Sequence, residues 1–224
     1  MPRWGMVIDL DRCTACQACT VACIAENNQP VAGPEESRRG RDIFWNQVLA
    51  VVEGEYPRVT ARFLPRPCMH CDEPPCVAVC PVMATYKRDD GLVVQDNERC
   101  IGCRYCMVAC PYGVRYFNWR RPQHPTTENL NPDVPVRPLG VVEKCTFCIH
   151  RVDAAMARAR QEGRPLRDGD VQTACQQTCT GSAIVFGDLD DPSSQVARLA
   201  RDKRAFRLLE ELGTRPRVIY LKEG

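Results

Sequence analysis

The sixteen cysteines of this 224-residue chain stand in four groups of four, with none left over. Cys13, Cys16, Cys19 and Cys23 form a C-x2-C-x2-C-x3-C run. Cys100, Cys103, Cys106 and Cys110 repeat it, with Pro111 directly after. Cys68, Cys71, Cys76 and Cys80 follow the looser C-x2-C-x4-C-x3-C, closed by Pro81. The last group is split, Cys145 and Cys148 lying a long insertion away from Cys175 and Cys179. A chain that places this many thiols at two-residue gaps has to fold around groups that bind thiolates.

A cubane of four irons and four sulfides fits that demand. It needs one thiolate at each iron corner, and two-residue gaps let a tight loop offer three, the fourth coming from elsewhere. Other uses of cysteine fit less well. Disulfides suit small secreted chains, whereas this one is long enough to build an apolar core and would have to close strained C-x-x-C rings. Met1-Pro2-Arg3-Trp4 leads straight into the first cysteine group, so no export signal is expected. Zinc takes two well-separated C-x2-C pairs per site, and a redox C-x-x-C would explain one pair and leave the others idle.

The formal charge of +2, with dispersed basic residues, gives no reason to expect nucleic-acid binding. Aromatic residues are only 7% of the chain, so cofactor is expected to take much of the interior. No stretch of eighteen or more apolar residues occurs, and no transmembrane segment of its own is expected. Neither G-x-G-x-x-G nor P-loop spacing is present, and no serine or carboxylate motif has a recognisable base. The residues point to a non-catalytic electron relay.

The fold class expected is α+β, built from ferredoxin half-modules. Val7-Ile8-Asp9 before Cys13 and Leu92-Val93-Val94 before Cys100 read as strands, with Ala84-Thr85-Tyr86 and Ala183 to Gly187 as returns. Cys19 to Asn27 and Cys106 to Cys110 should be short helices. A hairpin of Ile43–Val48 and Arg58–Phe63 is expected around Glu53-Gly54-Glu55, and a helix over Arg151 to Glu162 ended by Gly163. Ser193 or Ser194 should cap a helix reaching about Leu212, with Val196, Leu199, Phe206, Leu208, Leu209 and Leu212 as its apolar set. A strand over Arg217 to Leu221 follows. Along the chain, 1–28 carries the first cysteine group, 29–67 is a β insert, 68–119 carries the second and third groups and 141–190 the fourth. A proline-rich surface loop occupies 120–140, and 191–224 is an extension that either packs on the body or docks a partner.

The four groups in this order resemble the four-cluster iron–sulfur subunits of membrane-bound molybdenum oxidoreductases. The resemblance is carried by the segment from Cys100 to Gly113 and by Lys144-Cys145-Thr146-Phe147-Cys148-Ile149-His150-Arg151, and it covers almost the whole chain. Polysulfide, dimethyl-sulfoxide and formate-dependent nitrite reductase subunits share the pattern. Phe186 to Pro192 and Thr214 to Val218 are also similar to alternative complex III and quinone-reductase iron–sulfur subunits.

The resemblance implies two nested double-cubane modules, 1–28 plus 141–190 with groups one and four and 68–119 with groups two and three, and four ligand sets. These are Cys13, Cys16, Cys19 and Cys179; Cys145, Cys148, Cys175 and Cys23; Cys68, Cys71, Cys76 and Cys110; and Cys100, Cys103, Cys106 and Cys80. Some relatives replace the residue matching Cys103 and carry a three-iron cluster there; with cysteine in place, four 4Fe–4S clusters are expected. Ile24 and Thr180 stand where the ferredoxin run often has proline, which affects loop shape and not the thiolate count. The partners implied are a molybdopterin-containing catalytic subunit and an integral membrane quinone-binding subunit, with the chain held at the membrane through them, the outer face favoured and the cytoplasmic face left open. The same relay role in a hydrogenase, a formate dehydrogenase or an alternative complex III-type assembly remains open, as does a structural zinc protein. Arg104, Arg115, Lys144 and Arg151 lie near ligands in sequence, where they either raise cluster potentials or pair with carboxylates. His70 and His150 are expected to hydrogen-bond or face an interface, and His124 to sit in the proline-rich loop.

Overall fold

The computed structural model of the chain describes residues 1–122, 124 and 129–222. Its elements in chain order are β1 (Trp4–Asp9), α1 (Ala18–Glu26), α2 (Pro34–Arg38), β2 (Gln47–Glu55), β3 (Arg58–Arg66) and α3 (Pro75–Ala78). They continue with β4 (Thr85–Lys87), β5 (Val93–Gln95), α4 (Tyr105–Val108), β6 (Tyr116–Phe117), β7 (Val142–Glu143) and α5 (Ile149–Gln161). The last are α6 (Ala174–Gln177), β8 (Ile184–Asp188), α7 (Gln195–Leu199), β9 (Ala205–Phe206) and β10 (Val218–Leu221). Short strands with few helices make this a small α+β arrangement of the ferredoxin-like kind.

Three strand pairings decide which cysteines meet. β1 runs antiparallel to β8, with Val7 opposite Val185, and this draws the first cysteine group to Cys175 and Cys179. β4 pairs with β5, Tyr86 opposite Val94, which draws the second group to the third. β6 pairs with β7, Tyr116 opposite Glu143, and stitches the end of the third group to the approach to Cys145.

The main sheet has the order β8-β1-β10-β9. Strand side chains alternate between faces, and the two faces serve different cores. Met6, Ile8, Val218 and Tyr220 pack toward the cysteines with Leu92, Phe147 and Phe186. Val7, Val185, Ile219 and Leu221 pack on the other side under Val196 and Leu189.

The tail departs from the long helix expected over 193–212. Ser194 does cap a helix, its hydroxyl accepting from the Ala197 amide, but that helix ends at Leu199. Asp202 to Arg204 breaks the apolar period, and Arg204 turns inward to bond Asp9 and Asp11. The apolar set divides accordingly: Val196 is buried, Phe206 pairs in β9 opposite Tyr220, and Leu209 and Leu212 stay exposed. β10 lies parallel to β1 inside the sheet, and the Asp72, Glu73 and Arg217 amides join the tail to the second cysteine group by bonds to Arg215, Thr214 and Met69 carbonyls.

The hairpin also differs from expectation. β2 begins at Gln47 and runs through Glu53-Gly54-Glu55, so the turn falls at Tyr56-Pro57. Residues 123 and 125–128 of the proline-rich stretch lie outside the described residues. Of the rest, Arg137 is buried against Glu143, and the Asn28 side-chain amide bonds the Asn131 and Val134 carbonyls, so this part of the stretch is pinned to the body.

Candidate metal centres

The pairings gather the sixteen thiols into four sets, each completed by a cysteine from a distant group. Cys13, Cys16, Cys19 and Cys179 line one cavity. Cys23 faces Cys145, Cys148 and Cys175 closely enough to feel their charge. Cys71 is in the same relation to Cys68, Cys76 and Cys110. Cys80, Cys100, Cys103 and Cys106 line a further cavity.

The sets also form a row. Cys175 feels Cys19 of the first set, Cys145 feels Cys68 of the third, and Cys106 feels Cys76. Tyr116 stands in the middle, its phenol near both Cys23 and Cys110. Burial follows the row. The set containing Cys145 is wholly buried, whereas Cys16 at one end and Cys103 at the other are exposed.

The ligand loops share one backbone device. In the first C-x2-C of each group the residue before the second cysteine is left-handed: Ala15 at φ 55°, His70 at 41°, Gly102 at 70° and Phe147 at 55°. Three of these four are not glycine and carry the steric cost of that region. Backbone amides point at sulfur nearby: Phe147 N–H donates to Cys145 Sγ (3.4 Å), Ala174 to Cys148 (3.4 Å), Ala183 to Cys179 (3.2 Å) and Thr85 to Cys80 (3.4 Å). Such donors stabilise a thiolate and the negative cluster it holds.

Burial controls the thiols. It pushes Cys71 and Cys145 up to about 12, with Cys68 next to each adding to the rise. Cys23 and Cys175 are driven well up by burial as well. Cys16 is drawn down to about 7 by the Thr180 hydroxyl and then by the Ala18 amide. Because ligation requires thiolate, metal loading of the buried sets displaces protons.

The donor sets fit 4Fe–4S clusters. All sixteen cysteines are free. Among the described residues no three His, Cys, Asp or Glu side chains converge on a point that would hold a single ion. A lone zinc would draw its sulfurs to about 2.3 Å of one centre, whereas the thiols of the Cys13 and Cys103 sets are spread around a cavity, as the corners of a larger group require.

The basic residues near the ligands separate into distinct roles. Arg151 bonds Glu26 in a fork and His150 joins the same carboxylate at 2.7 Å, tying α5 to α1. Arg104 lies over the Phe117 and Trp119 rings. Lys144 is fully buried and donates to the Val93 and Cys145 carbonyls. Only Arg115 of these four donates to a thiol, Cys76 Sγ at 3.2 Å. His70 accepts from the Val93 amide at Nδ1 and bonds the Cys145 carbonyl through Nε2, which fixes the neutral Nε2–H form. Its stacking on Phe147 at 3.9 Å locks the loops of two sets together.

Gly102 is the ligand-loop position most sensitive to change. A Cβ there would stand 2.3 Å from the Gly140 carbonyl oxygen, and φ is +70°. A Gly102→Ala variant is expected to move Cys103 and lose about one cluster in four; iron per chain, measured after anaerobic reconstitution, checks it.

Comparison with known proteins agrees with this geometry. Residues 59–126 and 99–183 each match the 4Fe-4S dicluster domain. The chain is 53% identical to the menaquinone reductase iron–sulfur cluster-binding subunit of Nitratidesulfovibrio vulgaris, over 98% of its own length and 88% of that protein. It is 42% identical to a putative dimethyl sulfoxide reductase iron–sulfur subunit of Halobacterium salinarum, over 99% and 79% of the two chains. Against the arsenate respiratory reductase iron–sulfur subunit of a Shewanella species the identity is 36%, over 98% and 96%.

Proposed function

We propose a specific place in a respiratory complex for this chain, which belongs to the family of 4Fe–4S dicluster iron–sulfur subunits of molybdopterin oxidoreductases: it joins a molybdopterin-containing catalytic subunit to an integral membrane, quinone-binding subunit. The chain is a non-catalytic electron-transfer subunit with four 4Fe–4S clusters. Cys13, Cys16, Cys19 and Cys179 hold one cluster, and Cys23, Cys145, Cys148 and Cys175 its neighbour. Cys68, Cys71, Cys76 and Cys110 hold the third, and Cys80, Cys100, Cys103 and Cys106 the fourth.

The observation that carries this reading is the row of four thiol sets with exposed cysteines at its two ends. Each bound cluster supplies one-electron chemistry, with a potential set by its surroundings. The chain does the rest. Its strand pairings fix the order of the sets, its packed side chains keep water from the inner ones, and its amides and Arg115 place positive charge at the sulfurs.

Each end of the row also carries exposed apolar surface of the kind that marks a protein interface. Around Cys103 these residues are Met83 (70% exposed), Ile101 (64%), Tyr105 (56%) and Val108 (83%), and this end faces the membrane subunit. At the other end, Val48 and Pro65 of the β2–β3 hairpin line the Cys13 cavity. The same hairpin face continues outward through Ala50 with Phe63, Val52 with Ala61 and Gly54 with Val59, all apolar, and it receives the catalytic subunit. Exposed Leu209 and Leu212 give the C-terminal extension its docking residues. No helix among the described residues is long and apolar enough to cross a membrane. Attachment is through the membrane partner, and the resemblance to polysulfide-reductase-type subunits favours the outer face. The likeness to the Nitratidesulfovibrio subunit supports menaquinone as the quinone.

Co-purification tests the arrangement. A Val52→Asp, Val59→Asp double variant should keep its iron and the membrane subunit while losing the catalytic subunit, and Ile101→Asp with Val108→Asp should do the reverse. Retention of both partners by both variants would sink it.

A further inference from the structure

Arg115 is buried at 4% exposure, yet among the described residues no carboxylate pairs with it. One guanidinium nitrogen donates to Cys76 Sγ at 3.2 Å, and another to Thr85 Oγ1 at 3.3 Å and Gln95 Oε1 at 3.1 Å. Its charged neighbours are Cys76 and Cys68 of one set and Cys106 of the next, and these thiols favour the charged guanidinium against the penalty of burial. A buried cation without a partner is costly. Here the compensating anions are the thiolates and clusters of two adjacent sites.

The other half of the row also has cations near its thiols, Lys144 by Cys145 and Arg151 by Cys148 and Cys175, but they donate to carbonyls, a carboxylate and an amide and not to a sulfur. Arg115 stands five residues past Cys110, and the residue five past Cys179 is Ile184, buried in β8. Around Cys23 the side-chain donors are neutral amides, Gln29 Nε2 at 3.3 Å and Asn27 Nδ2 at 3.7 Å from Sγ. Reduction adds a negative charge to a cluster, and a fixed cation in a low-dielectric interior favours the more negative state of everything near it. An amide dipole does so more weakly.

We infer that Arg115 is a shared counter-charge that raises the reduction potentials of two clusters at once, those of the Cys68/Cys71/Cys76/Cys110 and Cys80/Cys100/Cys103/Cys106 sets. The inference rests on the ligand sets proposed above. It makes Arg115 a residue that acts on electron transfer through the clusters, without taking part in any chemistry of its own.

The test is a redox titration followed by electron paramagnetic resonance on the whole complex carrying Arg115→Gln or Arg115→Lys. Iron and acid-labile sulfide are measured first, so that a failure of the ligand reading shows in the unsubstituted chain as a wrong cluster count. Glutamine keeps hydrogen-bond donors and removes the charge; lysine keeps the charge. With Arg115→Gln, the reduced-to-oxidised ratio at fixed ambient potential should fall at least tenfold for two of the four clusters, 59 mV for a one-electron couple, and stay unchanged for the others. Arg115→Lys should restore most of it. Four unchanged midpoints in an iron-replete Arg115→Gln complex would overturn the inference, as would equal shifts in both variants. Loss of iron in both variants would assign Arg115 to cluster assembly and overturn it too.

Discussion

A Cys145→Ala variant is expected to hold about twelve irons per chain where the unsubstituted protein holds about sixteen, and to stop electron exchange between the two ends of the row. Cys145 belongs to the wholly buried set and faces Cys68 of the next one, so its loss cuts the row in the middle. The drop in turnover of the assembled complex should exceed the roughly 10–100-fold that loss of an outer-shell partner costs at a metal site. Cys16 is the contrasting position. It is exposed at one end, so Cys16→Ala should leave the three other sets reducible from the Cys103 end. Full iron content and turnover in Cys145→Ala would show that this thiol ligates nothing.

The largest expected loss of stability comes from Arg137→Ala. Arg137 and Glu143 pair at 2.6 Å with side chains 4% and 1% exposed, and Arg137 also donates to the Asn28 carbonyl at 2.6 Å and lies over the Trp45 ring. Truncating the arginine strands a carboxylate in the interior, which costs roughly 3–5 kcal/mol. Burial already raises the Glu143 carboxyl above the ordinary carboxylate range, opposed by Arg137, and removing the arginine lifts it further. A carboxyl whose folded pKa lies above its unfolded one loses stability as pH rises from the unfolded value through the folded one. The defect of Arg137→Ala should therefore be small in acid and grow toward neutral pH. Anaerobic urea unfolding across that range measures it, and Arg137→Met with Glu143→Leu should recover most of the loss. A pH-independent defect would contradict this.

The cysteine groups were legible because ligation is a local demand: two-residue gaps are what a loop needs to offer three thiols to one centre. The helix over Arg151 to Glu162 was legible for a similar reason. Its alanines favour helix and Gly163 terminates it, and the observed span is Ile149–Gln161. The tail was not legible. Its apolar residues suggested one long helix, but Phe206 and Val218 to Leu221 are recruited as strands by β1, a segment about two hundred residues earlier, and no local period carries that pairing.

The left-handed residues before the second cysteines were hidden for another reason. Glycine announces φ > 0 only at Gly102; at Ala15, His70 and Phe147 the surrounding fold imposes it on residues that do not favour it. Arg115 was singled out by closeness in sequence together with Arg104, Lys144 and Arg151, and only the folded chain separates the one beside sulfur from one over aromatic rings, one on carbonyls and one on a carboxylate.

The central claim is that this chain carries four cubane clusters in a relay, and one measurement addresses it most directly. Iron and acid-labile sulfide are quantified in anaerobically purified protein, and low-temperature electron paramagnetic resonance is recorded through a redox titration. About sixteen irons with signals only in the reduced state is the expected result. An oxidised-state three-iron signal would contradict the ligand set containing Cys103, and zinc without iron would contradict the account as a whole.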